Sequence, residues 1–156
     1  MLGNRMPCKY KLGVLIAQAT EWAELQARLI LRDGVALNIN EISLAGAAGV
    51  AYPERIRIFQ VTHIPYPGNM QLIEMATNAG LLTPDIAGLT LGYGIYLRHG
   101  YCTQRILSHE FRHVYQYEQA GSIAAFLTEY LQQIAQYGYA NAPLEMDARK
   151  YEVATD

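Results

Sequence analysis

Cysteine is scarce in this sequence, charge is sparse and long apolar runs are missing, and each shortage removes a class of protein. The two cysteines, Cys8 and Cys102, lie 94 positions apart in 156 residues, and neither has a CxxC neighbour. A disulfide framework is therefore not expected, and both read as structural thiols. Lys and Arg number 12 against 14 Asp and Glu, for a net charge of -2 and a pI near 6.1. That balance lacks the basic footprint of a protein that binds nucleic acid by neutralising phosphates, so nucleic acid is not an expected partner. The longest apolar stretches, Leu12 to Ala17 and Ile123 to Leu127, stop far short of the roughly 20 residues a membrane-spanning helix requires. Near the amino end, Arg5, Lys9 and Lys11 precede Leu12 to Ala17, and Ala17-Gln18-Ala19 has the form of a signal cleavage site. The apolar run is nevertheless shorter than the roughly 7 to 15 residues usual in a signal peptide, and it continues into a helical pattern. Cytoplasmic residence, or export by another route, is the expectation.

What the chain does have is apolar material, 51% of its residues. A chain of this length buries roughly 70% of its unfolded surface on folding. No repeat, low-complexity tract or Ser/Gly-rich linker interrupts it, so residues 1–156 read as one domain. Between Ala17 and Arg32, Trp22, Leu25, Leu29 and Ile30 recur at helical spacing, Glu24 and Arg28 stand at i,i+4, and Asp33-Gly34 ends the segment. A short helix follows over Asn40 to Ala48. The period then changes: Arg55 to Thr62 is rich in β-branched and aromatic residues between prolines, and reads as a strand. Met70 to Ala79 suits a helix. Gly88 to Arg98 returns to period two, a second strand with Leu89, Leu91, Tyr93, Ile95 and Leu97 on one face. Thr103 to Gln119, Ser122 to Tyr137 and Pro143 to about Glu152 read as helices, with Ser122 as a cap and Pro143 in a first turn. The class is α+β, a small sheet of two to four strands against several helices.

One constellation carries chemistry. His109-Glu110-Phe111-Arg112-His113 lies in the middle of a predicted helix. Positions i and i+4 share a helix face, so both imidazoles can converge on one metal ion, while Glu110 projects about 100° away, near the ion without having to ligate it. Two neutral nitrogen donors, with a carboxylate placed to take a proton from metal-activated water, are what hydrolytic metal chemistry requires. Arg112, in a variable place of this spacing, reads as a solvent or salt-bridge position. Of 12 tyrosines, Tyr115, Tyr117, Tyr130, Tyr137 and Tyr139 crowd the helical half and read as half-buried packing.

Ser108 to Gln116 resembles the active-site helix of the zincin metallopeptidases. The similarity is closest to the glutamate-zincin branch and to small bacterial zincin-like domains, in which a later "PxExEA" element is matched here by Pro143-Leu144-Glu145-Met146-Asp147-Ala148. It covers roughly Gly88 to Glu152. The resemblance implies a zinc cofactor, an edge strand before the motif helix and a third ligand from a later helix. Metzincin spacing is excluded, since it needs Gly at 116 and His at 119 and both are Gln. Glu145, Asp147, Glu152, His99 and His63 are the candidates for third ligand. Glu145 is preferred because it occupies the Glu of the family-like "PxE". Asp147 is the alternative, as ligand or as a partner to a ligand histidine; Glu152 reads better as solvated helix surface. The implied activity is zinc-dependent hydrolysis of peptide bonds in a peptide or protein substrate, with His109, His113 and Glu145 as metal ligands and Glu110 as general base. Arg98, His99, Tyr137 and Tyr139 are candidates to stabilise the oxyanion. Gly92 and Gly94 leave one strand face bare, where an extended peptide can approach or a helix can pack. The competing implication is a zincin-fold metal-binding module with a binding, structural or toxin-accessory role and little or no catalysis.

Overall fold

The computed structural model describes residues 8–154; Arg5, part of the signal-like amino end, lies outside them. In chain order the elements are α1 (Cys8–Asp33), β1 (Val35–Ala36), α2 (Ile39–Ala47), β2 (Arg57–Val61), α3 (Met70–Asn78), β3 (Gly88–Leu91), β4 (Gly94–Arg98), α4 (Gln104–Ala120), α5 (Ile123–Tyr137) and α6 (Pro143–Lys150), with a 3₁₀ turn at Pro53–Arg55. The fold is α+β, with a four-stranded mixed sheet in the order β1-β2-β4-β3. β2 and β4 run parallel, whereas β1 and β3 join their neighbours antiparallel. No helix among the described residues is long and apolar enough to cross a membrane.

Local chemistry sets the helix ends. Thr103 and Ser122 turn their hydroxyls back onto the Ile106 and Ala125 amides and start α4 and α5, and Asn38 forms a full capping box with Glu41 ahead of α2; such caps are worth about 1 kcal/mol each. Gly121 ends α4 in the left-handed region at φ 90°, which costs glycine nothing.

Two expectations from the sequence need correction. α1 begins nine residues before Ala17, because Leu12 to Ala17 continues the helix and Leu15 is buried. The segment from Gly88 to Arg98 is a hairpin rather than a single strand. Gly92, at φ 66°, opens a two-residue turn that needs a positive φ at its first position. The turn reverses the alternation. Leu89 and Leu91 share a face with Tyr96 and Gly94, while Ile95 and Leu97 point to the other face with Thr90 and Gly88.

Each sheet face has its own core. Ile56, Ile58, Ile95 and Leu97 pack with Leu107, Phe111 and Val114 of α4 and Ala45 of α2. On the other face Leu91 and Tyr96 meet Ala23, Ala27 and Ile30 of α1, in a cluster that includes Phe126 and Tyr130 of α5. A Cβ on Gly94 would come within 3.0 Å of the Ile30 side chain, so this glycine admits α1 to the sheet and leaves no bare face for a peptide.

At about 100° per residue, Leu107, Phe111 and Val114 form one side of α4. Phe111 is fully buried, a contribution of about 1.5–3 kcal/mol toward holding the helix in that orientation. His109, His113 and Gln116 consequently occupy the opposite side, and α6 packs against α4. Glu110 and Tyr117 lie between, and both bond to Thr90 of β3.

Candidate metal centre

The two imidazoles of α4 converge, with their Nε2 atoms 3.2 Å apart. α6 brings Glu145 onto the same point: Oε2 lies 3.2 Å from His109 Nε2 and Oε1 lies 3.1 Å from His113 Nε2. One ligand atom from each residue falls within 4.8 Å of the other two, a group that could hold a metal ion. Two contacts to α5 position Glu145, which is only 2% exposed. The Tyr130 hydroxyl donates to Oε1 at 2.7 Å, and the Leu144 amide at the start of α6 donates to Gln133 Oε1 at 2.9 Å.

The remaining ring nitrogens are committed elsewhere. Gln116 Nε2 donates to the Leu144 carbonyl and to Asp147 Oδ2, both at 2.9 Å, so its Oε1 faces His113 Nδ1 at 2.8 Å as an acceptor. His113 must then carry its hydrogen on Nδ1 and present a lone pair at Nε2. Glu152 Oε1, 2.9 Å from His109 Nδ1, imposes the same tautomer there, while its other oxygen accepts from Arg105 Nε at 2.8 Å. Carboxylate or amide acceptors behind metal-ligating histidines have this function: they fix the ring and raise its basicity. Two lone pairs and a carboxylate directed at one another repel unless a cation or a proton lies among them. Glu145 Oε2 is buried, and beyond its 3.2 Å approach to His109 Nε2 it has no hydrogen-bond donor, as expected of an atom that completes a coordination shell. Two imidazole nitrogens and a carboxylate oxygen fit a divalent metal of zinc type.

Protons take the place of the cation in the metal-free protein. Burial opposes a charged imidazolium at His113, yet the hydrogen bond to Glu145 and that carboxylate's charge outweigh it and raise the group to about 9. His109 also moves up: burial opposes its charge, but the hydrogen bond to Glu145 and the charge of Glu110 outweigh it. At Glu145 burial acts upward but is overcome by the hydrogen bonds from both histidines, which hold the carboxyl well below its ordinary range. A proton bound more tightly in the folded state stabilises that state. The His113 contribution is thus complete below its ordinary value of 6.5 and lost as pH rises through about 9. The Glu145 contribution is present above 4.5 and lost in acid. Metal-free protein is therefore expected to melt at progressively lower temperature from pH 6.5 to 9, and a bound divalent cation is expected to abolish that alkaline decline. Thermal melts with and without chelator across this range check it.

Glu110 is 7% exposed, and its Oε2 accepts from Thr90 Oγ1 at 2.6 Å. A Cβ on Gly88 would lie 2.9 Å from Glu110 Oε1. Gly88→Ala is expected to displace this carboxylate while leaving metal affinity intact, because it touches none of the three converging residues; metal titration beside a hydrolysis assay checks both halves.

His109, Glu110, His113 and Glu145 line one cavity of about 120 Å³, walled otherwise by apolar groups of α1, α3 and α5 such as Trp22, Leu72 and Phe126. Tyr117, Tyr130 and Tyr139 also line it, and the first two are buried rather than half-buried. Of the oxyanion candidates, Tyr139 alone among the described residues reaches this cavity; His99 and Tyr137 are exposed, and Arg98 lines a separate groove with His63. Asp147 stands behind Gln116 and pairs with Arg112, at 2.8 Å from its Nε. Of the two expectations for Arg112 it takes the salt bridge rather than the solvated position, and it also donates to the Ala48 carbonyl and stacks between the Tyr115 and Tyr151 rings. Glu152, expected on the solvated surface, is instead the partner of His109. Cys102 is a free, exposed thiol rather than a structural one, and the Cys8 side chain lies outside the described part. Tyr130 and Thr90 have no signal in the sequence as site residues; Gln116 ends the stretch that carries the resemblance, but nothing there marks it as the partner of His113.

No protein-family profile, curated protein or solved structure matches the chain.

Proposed function

We propose that the chain is a zinc-dependent peptide hydrolase with a zincin-like arrangement, in which His109, His113 and Glu145 hold the metal and Glu110 is the general base. The observation that carries this reading is the convergence of the two Nε2 atoms with Glu145 while both Nδ1 atoms are tied to acceptors. Edge strand β3 lies two elements before the motif helix, with the internal strand β4 between them, and α6 carries Glu145 to the histidines; the second of these supports the reading.

When bound, zinc supplies Lewis acidity toward a carbonyl oxygen and toward water. Glu110, held at Oε2 by Thr90, has Oε1 free to accept a proton from the attacking water and deliver it to the departing amine. Burial first, and then the charge of Glu145, raise the Tyr139 hydroxyl, so it keeps its proton and can donate to the developing oxyanion. β3 lies at the sheet edge and pairs within the sheet only with β4; the Tyr117 hydroxyl takes the Thr90 carbonyl, so an extended peptide would pair along the Gly88 end of that edge. Three protein ligands leave a coordination position open, which favours turnover over the metal-binding module, where a fourth protein ligand is expected.

The test is metal content together with hydrolysis of an unfolded protein such as casein. One zinc per chain, and cleavage lost to a chelator and restored by zinc, are expected. Full cleavage after metal removal would overturn the hydrolase reading, as would stoichiometric zinc with no cleavage of casein or of a random peptide library.

A further inference from the structure

A second polar feature lies outside the metal cavity. Arg98, the last residue of β4, reaches into a groove of about 370 Å³ lined also by His63, Ile64, Pro65, Leu82 and Ile86. Its Nε and Nη1 atoms are buried and have no hydrogen-bond partner. The Tyr101 ring lies 5.0 Å from the guanidinium carbon; it supports the charge but accepts no in-plane N–H. A guanidinium carries five donors in a planar fork. Leaving such donors buried and unpaired costs free energy that a bound anion recovers.

We propose that this groove is a carboxylate-binding site anchored by Arg98. The fork matches the two oxygens of a carboxylate in parallel hydrogen bonds. A single guanidinium suits one negative charge better than the two of a phosphate. The flanking Ile64, Pro65, Leu82 and Ile86 favour a carboxylate attached to an apolar group. Leu82 and Ile86 also line the metal cavity, so the two sites share a wall. Use of the groove as a substrate subsite, for a peptide's terminal or side-chain carboxylate, rests on the hydrolase reading; the binding itself does not.

Calorimetric titration with 3-phenylpropanoate, its uncharged amide 3-phenylpropanamide and inorganic phosphate tests the site, in zinc-free and zinc-loaded protein. The acid is expected to bind wild type at least about tenfold more tightly than the amide, with or without zinc. Arg98→Met is expected to erase that preference, and Arg98→Lys to keep only part of it. Removing an unpaired buried charge is expected to leave the melting temperature of Arg98→Met unchanged or raised. Equal binding of acid and amide, or a preference that survives Arg98→Met, would refute the site. So would a preference seen only with zinc, which places the carboxylate on the metal. Phosphate binding as tight as the acid would overturn the carboxylate assignment, and a large loss of melting temperature in Arg98→Met would reassign the guanidinium to holding the fold. The acid and amide comparison in wild type needs no variant to fold, and no readout depends on hydrolysis.

Discussion

Glu110→Gln is expected to lower peptide hydrolysis by about 10²–10⁴-fold while leaving one zinc per chain, the range that general acid-base catalysis contributes. Gln keeps the shape of the side chain and can still accept from the Thr90 hydroxyl, which now bonds Oε2 at 2.6 Å. What it loses is the ability to take a proton. The loss should fall on kcat with little change in KM, because the carboxylate is asked to act only in the transition state. Steady-state kinetics of both proteins, after metal analysis confirms equal loading, decides the matter. A variant with equal zinc and undiminished kcat would remove Glu110 from the mechanism.

Glu145→Ala is expected to weaken zinc binding by about 10²–10³-fold, since structural zinc sites of about 10–16 kcal/mol divide among four ligands. Hydrolysis at limiting zinc should fall with it. The same substitution strips Tyr130 of the partner it bonds at 2.7 Å, and a buried hydroxyl left unpaired costs about 1–3 kcal/mol. Glu145→Gln separates the two effects: it keeps an acceptor for Tyr130 but removes the charge, so the cost of the unpaired hydroxyl should vanish, while zinc affinity and the stabilisation from the protonated histidines should not return. In the metal-free variant His113 should titrate well below its present value of about 9, because the Glu145 carboxylate is what raises it. Competitive zinc titration and NMR of the imidazole protons measure both. Unchanged zinc affinity in Glu145→Ala would assign the third ligand elsewhere.

How much of this was legible in the sequence follows from how local each feature is. The pairing of His109 with His113 needs only a helix, and a cap such as Ser122 declares a helix within a few residues. Glu145 stands 32 positions beyond His113; its choice came from a family resemblance, because no local rule shows where α6 docks. Glu152 and Asp147 illustrate the limit. Both are carboxylates near the end of a short helix, and only packing decides that one backs His109 while the other braces Gln116 and Arg112. The hairpin leaves no mark on the apolar pattern for a different reason. Period two continues through Gly92 and Tyr93, and nothing in apolar alternation distinguishes a strand from two strands joined by a tight turn until a positive φ is required.

The carboxyl-terminal segment grips α4 at many points. Glu145 meets the two imidazoles, Asp147 meets Arg112, Glu152 meets His109, and the Val153 amide donates to Ser108 Oγ at 3.0 Å. A bound ion and this segment would therefore act as a clasp and its pin, each securing the other. A chain clipped ahead of Pro143 would retain the His-Glu-x-x-His sequence intact and yet be blind to zinc, and a protease that trims loose ends would distinguish loaded from empty molecules.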